Sequence, residues 1–223
     1  MNGRATLFIA AFIISSQVLS AQGLHLGATA SLCGSRISNN VVSTSEFKVR
    51  NALSFDVGLF AEKTLNTRSS LGVEALWVQI NGREGRKNVP LFGYQNFELV
   101  QLGTLTDMLR IRSAYFAMPA YYRLKWGAFG LKLGIQPMLF VDAYANYSSE
   151  GTFEDQPTKS RGRVDVEFKR FDWGPKIGLN YRFAGRFGLR LDYYHGLTNI
   201  MKDLVDFQRR NRQLGLGIEC FFN

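Results

Sequence analysis

Acidic side chains at Asp56, Glu62, Glu74, Asp142, Asp172, Asp192 and Glu219, and basic ones at Arg123, Lys125, Lys132, Lys176, Arg182 and Arg190, occur in stretches where every second residue is apolar. In an extended chain, alternate side chains point to opposite faces, so these groups gather on the face away from the apolar one. Carboxylates and cations sharing one interior can relay protons, line an ion path, or pair into salt bridges that fill the space. A narrow interior favours the last, because an unpaired buried charge is costly and acid and base nearly balance. We therefore expect an interior charge network built from Asp56, Glu74, Lys132, Asp142, Asp172, Lys176, Arg190 and Asp192.

Catalytic chemistry finds little support. His25 and His195 are the only histidines, and neither shares metal-ligand spacing with another His or Cys. A nucleophile and its base on one strand face would stand two residues apart, and Leu197 occupies that place after His195, while Thr198 points the other way. The expectation is a protein that is not an enzyme and holds no metal or cofactor. A lipid A-modifying outer-membrane hydrolase using His195 is the enzymatic alternative.

Strands must position these groups. Phe171, Trp173, Pro175, Ile177, Leu179, Tyr181 and Phe183 alternate with Arg170, Asp172, Gly174, Lys176, Gly178, Asn180 and Arg182, so one face is wholly apolar. Comparable alternation predicts strands over 23–37, 52–64, 69–81, 110–126, 128–146, 166–184, 187–199 and 210–223. No charge falls on any of the apolar faces. Lys or Arg on a lipid-facing wall costs about 2–4 kcal/mol at mid-bilayer, so an uncharged face of this kind suits a membrane. Beyond the first 22 residues no segment approaches the ~20 consecutive apolar residues of a membrane helix. The predicted fold is all-β, a single closed antiparallel transmembrane barrel of about eight strands, whose lumen is just wide enough for its own side chains. A soluble lipocalin-like barrel is the other reading, with the apolar face turned inward.

Connections set the orientation. Short turns at 65–68, 127 and 185–186 alternate with long gaps at 38–51, 82–109, 147–165 and 200–209, the pattern of barrels with short periplasmic turns and long external loops. Trp126, Phe129, Tyr181, Phe183, Phe187 and Phe222 then fall at the periplasmic ends, and Trp77, Phe116, Phe171, Trp173 and Tyr193 toward the outer ends, as aromatic girdles do. The gap 82–109 is the longest, and its basic start at Arg83, Arg86 and Lys87 leads into aromatic Phe92 and Tyr94. Those five are the candidate surface contacts, since long connections usually carry recognition.

The N-terminus reads as an export signal: Arg4, an apolar run from Leu7 to Ile14, then small and polar residues to Ala21. This divides the chain into a signal peptide, 1–21, and a barrel domain, 22–223. The 27 Lys and Arg exceed the 18 Asp and Glu, for a net charge of +9 that falls by one when Arg4 is removed. With the interior nearly neutral, the excess belongs to the external loops. Its partners there are outer-membrane lipid and lipopolysaccharide phosphates, acidic glycans or other envelope proteins, and not nucleic acid. Cys33 and Cys220 are expected to be free, about 30 Å apart on neighbouring strands.

Several segments carry a family likeness: Ala117-Met118-Pro119, Lys169-Arg170-Phe171-Asp172-Trp173-Gly174, Tyr193-Tyr194-His195-Gly196-Leu197-Thr198-Asn199-Ile200, and Leu214-Gly215-Leu216-Gly217-Ile218. With them the chain resembles the outer-membrane β-barrel proteins of Bacteroidetes often called PorT-like. It departs from that pattern at Ala117, where the family usually has Glu, and at His195, where it usually has Tyr. The resemblance implies a barrel in the bacterial outer membrane, with a structural or interaction role that includes accessory work in a secretion or gliding apparatus.

Overall fold

The computed structural model describes residues 23–39, 47–95, 97–153, 156–183, 185–201 and 208–222. The segment read as a signal peptide lies outside the described residues, as do 40–46 and 202–207 within the gaps 38–51 and 200–209. Ten strands follow one another: β1 (Leu24–Asn39), β2 (Phe47–Asn66), β3 (Ser69–Gln95), β4 (Glu98–Ala117), β5 (Ala120–Trp126), β6 (Phe129–Phe153), β7 (Gln156–Asp165), β8 (Phe171–Phe183), β9 (Phe187–His195) and β10 (Arg209–Phe221). They occupy eight positions around a ring. β3 pairs with both β4 and β5, and β6 pairs with β4, β5, β7 and β8, so β4 and β5 share one position and β7 and β8 another. β10 returns to pair with β1 over thirteen residues, which closes the wall. All pairings are antiparallel.

The break between β4 and β5 falls at Met118-Pro119. Proline offers no N–H to the ladder, and the wall is held across the gap by Glu74 N–H donating to the Pro119 carbonyl at 2.8 Å and Met118 N–H to that of Pro137 at 3.0 Å. The three tight connections lie at one end of the ring. Gly127 and Gly185 supply the left-handed residue there, at φ +59° and +65°, a conformation in which a Cβ is strained.

Outside, the wall is apolar. Leu32, Leu53, Val57, Leu71, Val73, Leu133, Leu179, Leu189, Leu216 and Ile218 are among the side chains 40% or more exposed, and the girdle aromatics are exposed with them. A continuous apolar band around a whole barrel far exceeds what a monomer shows to water, and it is the face that meets lipid.

Three expectations need correction. The gaps 82–109 and 147–165 are strands: β3 and β4 run on together to the pair Gln95/Glu98, and β6 and β7 to Phe153/Gln156. Backbone groups of a chain this long need partners, and a hairpin supplies them. The strand expected over 166–184 is interrupted between β7 and β8, where Phe168 leaves the wall and is buried, bridged to Met201. That expected over 187–199 ends at His195, after which the chain bends inward and buries Ile200.

Candidate functional site

The lumen has two layers of different chemistry. Nearer the tight turns, Glu74, reaching inward from β3, accepts Lys132 Nζ at 3.0 Å on one oxygen, and Lys176 Nζ at 3.1 Å and Arg190 Nη2 at 3.2 Å on the other. Lys132 also meets Glu219, whose second oxygen is 3.2 Å from Arg123 Nη2. Arg123 continues to Glu62 at 3.1 Å, and Lys125 reaches the same carboxylate at 3.3 Å. Asp192 pairs with Arg190 and lies 3.9 Å from Lys176. Four carboxylates and five cations thus form one connected network, buried but for the partly exposed Lys125 at its edge. Tyr121 lies under the Lys132 ammonium, 4.4 Å from nitrogen to ring centroid, where a side chain on Gly72 would collide with its ring.

Of the residues singled out from sequence, Glu74, Lys132, Lys176, Arg190 and Asp192 meet in this network. Asp56 is buried beside it and accepts a hydrogen bond from Cys33 Sγ at 3.3 Å. Asp172 is buried elsewhere, in the outer layer, where Asn211 Nδ2 donates to it at 2.9 Å. Asp142 is not in the lumen. A bulge between Ala114 and Tyr115 of β4 and Asp142 and Phe140 of β6 inserts one residue, which reverses the facing of everything beyond it and leaves Asp142 exposed on the outside. Arg182 stays apart from the ion pairs and lies over the Phe221 ring, 3.6 Å from its centroid.

The outer layer is largely apolar around the Asp172–Asn211 pair, and sequence periodicity missed it. Ile37, Leu76, Val78, Ile80, Ile111, Tyr115, Met138, Ala143 and Ala145 point inward, with Phe168 and Ile200 folded over them. The rings of Tyr115, Phe140 and Phe168 contact one another edge to face in sequence, with centroids 5.8 Å apart at each step. A signal was present in the sequence, since 75–78 is apolar at four consecutive residues and so has no polar face. Charged network below and hydrocarbon plug above fill the bore between them.

Beyond the apolar band, β3, β4, β6 and β7 rise as two hairpins. Arg83, Arg86, Lys87, Phe92 and Tyr94 all lie on β3 and are exposed, Tyr94 by 81%. Phe97 at the hairpin tip is fully exposed and holds φ +66°, unfavourable for a bulky residue. At the root, Glu84 turns inward to Arg209 Nη2 at 2.7 Å. Burial pushes the Glu84 carboxyl above the usual carboxylate range, against the opposing pull of that guanidinium. A cavity of about 320 Å³ opens there, lined by Glu84, Arg86, Asp107, Leu109, Tyr147 and Arg209 among others.

Among the described residues His195 meets no Ser, Thr or Cys side chain in a hydrogen bond. Its Nδ1 lies 3.1 Å from the hydroxyl of Tyr193 on the outer face. Among the described residues no three His, Cys, Asp or Glu side chains converge to hold a metal. Cys33 and Cys220 are free, and their separation is five register steps, about 17 Å, less than expected and still beyond disulfide reach.

Residues 16–202 match the family described as "Outer membrane protein beta-barrel domain". The chain belongs to that family. Membership and the apolar outer wall place this outer-membrane barrel in the bacterial outer membrane, with the hairpins and the tight turns on opposite sides. No curated protein matches its sequence. Among solved structures, the barrel is similar to the attachment invasion locus protein Ail of Yersinia pestis in complex with the heparin analogue sucrose octasulfate, at 10% identity over 90% of this chain and 100% of that one, with a TM-score of 0.42. It is similar to Neisserial surface protein A at 12% identity over 89% and 99% (TM-score 0.41), and to the outer membrane protease OmpT of Escherichia coli at 8% identity over 89% and 95% (TM-score 0.41).

Proposed function

We propose that this protein is a sealed, non-catalytic barrel that presents the β3–β4 hairpin outside the cell as a contact surface for other envelope proteins. The observation that carries the reading is the hairpin itself. It continues twelve residues beyond Arg83 to Gln95, about 40 Å of strand, far more than joining two strands requires. Its far end exposes Phe92, Tyr94, Phe97 and Leu99, and its root exposes Arg83, Arg86 and Lys87. Exposed aromatics anchor partners, and a basic root steers acidic ones. The filled bore supports a role at the surface instead of transport through the lumen. The resemblance to PorT-like barrels suggests a narrower form, an accessory of a secretion or gliding apparatus.

The test replaces residues 87–106 by Asn-Gly, a pair that turns tightly and would join the cross-strand partners Arg86 and Asp107. The shortened barrel is expected to reach the outer membrane and to keep the shifted gel mobility of an unheated barrel, while failing to complement a deletion strain. Full complementation would sink the hairpin reading.

A further inference from the structure

A row of side chains crosses the outer face, starting at the edge of the apolar band and climbing away from it. Arg212 of β10 stands directly opposite Arg36 of β1; Arg50 of β2 stands opposite Arg83 of β3; and Arg83 stands opposite Arg110 of β4. Arg36 is one residue beyond the last β1–β2 pair, Ser35/Ala52, which sets it next to the Arg50 end of the row. Five neighbouring strands therefore each contribute one exposed arginine to a single row running across the strands, about 19 Å long at the usual strand spacing.

Like charges directly opposite on paired strands repel and destabilise a sheet. Among the described residues the repulsion is uncompensated, since none of the five joins an ion pair there. The exposed carboxylates on β6 and β7 pair with none of them either: Glu150 pairs with Lys159 and Arg161, and Asp142 and Asp165 join none of the five. A row of this kind is stable when an anion with several negative groups lies across it, and guanidinium forks suit phosphate in particular.

Position relative to the apolar band identifies which anion. The row starts beside the band, where Leu214 follows Arg212 by two residues on the same face and Leu53 follows Arg50 by three, and it climbs from there to Arg83 and Arg110, six residues beyond Trp77 and Phe116. A ligand on the row would meet the hydrocarbon edge at the Arg212–Arg36–Arg50 end, with its acyl chains along the wall there and its anionic groups reaching up toward Arg83 and Arg110. We propose that Arg36, Arg50, Arg83, Arg110 and Arg212 form a binding ledge for the phosphorylated headgroup of a lipid A-type glycolipid in the outer leaflet. The proposal rests on the membrane reading, with the hairpins outside.

The experiment reconstitutes the full barrel in phosphatidylcholine vesicles and follows the temperature at which its gel mobility converts, with and without bisphosphorylated lipid A. The wild type is expected to convert at a higher temperature with bisphosphorylated lipid A, and not with the dephosphorylated form. Arg50→Gln/Arg83→Gln/Arg110→Gln should bind bisphosphorylated lipid A about tenfold or more weakly and lose the shift. In phosphatidylcholine alone it should be no less stable than wild type, because the repulsion is gone. Arg36→Gln/Arg212→Gln carries the same test from the other end of the row should the triple variant fail to fold. Equal response to the dephosphorylated lipid, an undiminished response in both variants, or the same shift from a soluble sulfated glycan would each overturn the assignment. A wild-type barrel that stays in solution beside the vesicles would instead bring down the membrane reading itself.

Discussion

Arg190 Nη2 lies 3.2 Å from Oε2 of Glu74, and neither side chain keeps any solvent exposure. The two come from β9 and β3, on opposite arcs of the ring, so the contact ties the walls together across the bore. Lys132 and Lys176 share the same carboxylate. Glu74→Gln would leave three buried cations short of their counter-charge, and a broken buried pair costs about 3–5 kcal/mol. Urea unfolding of the barrel in vesicles should show a loss of that size. Glu74→Leu combined with Arg190→Met should cost less than the two single changes added together. Strict additivity would mean that the pair is not coupled.

Leu179 is 55% exposed in the middle of β8, within the band assigned to lipid. Leu179→Arg should cost about 2–4 kcal/mol in vesicles and reduce the amount assembled in the outer membrane. In a soluble barrel the same change would be harmless on an exposed face, so unaltered assembly would count against the lipid-facing wall.

The filled bore predicts silence in planar bilayers. Ile111 is 1% exposed within the apolar plug, and Ile111→Ala should destabilise the barrel by about 2–5 kcal/mol, as a core truncation does. Reproducible stepwise currents from the wild type would show that the plug opens and would refute the sealed lumen.

Glu84 gives the hairpin root a pH dependence whose sign is fixed. Its carboxyl is raised in the folded protein, so its contribution to stability is greatest below the unfolded pKa and falls as pH rises through the folded value. The part of the stability curve assigned to this group should slope downward as pH rises above the ordinary glutamate value, and Glu84→Gln should flatten it. A Glu84 titration followed by NMR at or below the ordinary glutamate value would contradict the burial argument.

His195→Ala offers a separate check on catalysis. With Tyr193 as the hydrogen-bond partner of His195, lipid A from cells carrying the variant should give the same mass spectrum as lipid A from cells with the wild type. An acyl chain lost only in the presence of His195 would restore the hydrolase alternative.

Alternation by itself determined the closed all-β wall, its apolar outside and the inward facing of Glu74, Lys132, Lys176, Arg190 and Asp192, because side-chain direction in a strand follows from parity alone. Parity fails where the backbone departs from a regular strand. One inserted residue near Val141 turned Asp142 outward, and no local pattern announces a bulge. Hairpin and loop are also hard to separate in 82–109, since the extension faces water on both sides and has no apolar face to mark it. Only the tertiary structure decided which strands stand beside each other and in what register. That decision sets Phe168 and Ile200 over the bore and places Arg36 against Arg212 and Arg50 against Arg83, contacts between residues 33 to 176 positions apart that no sequence period can encode.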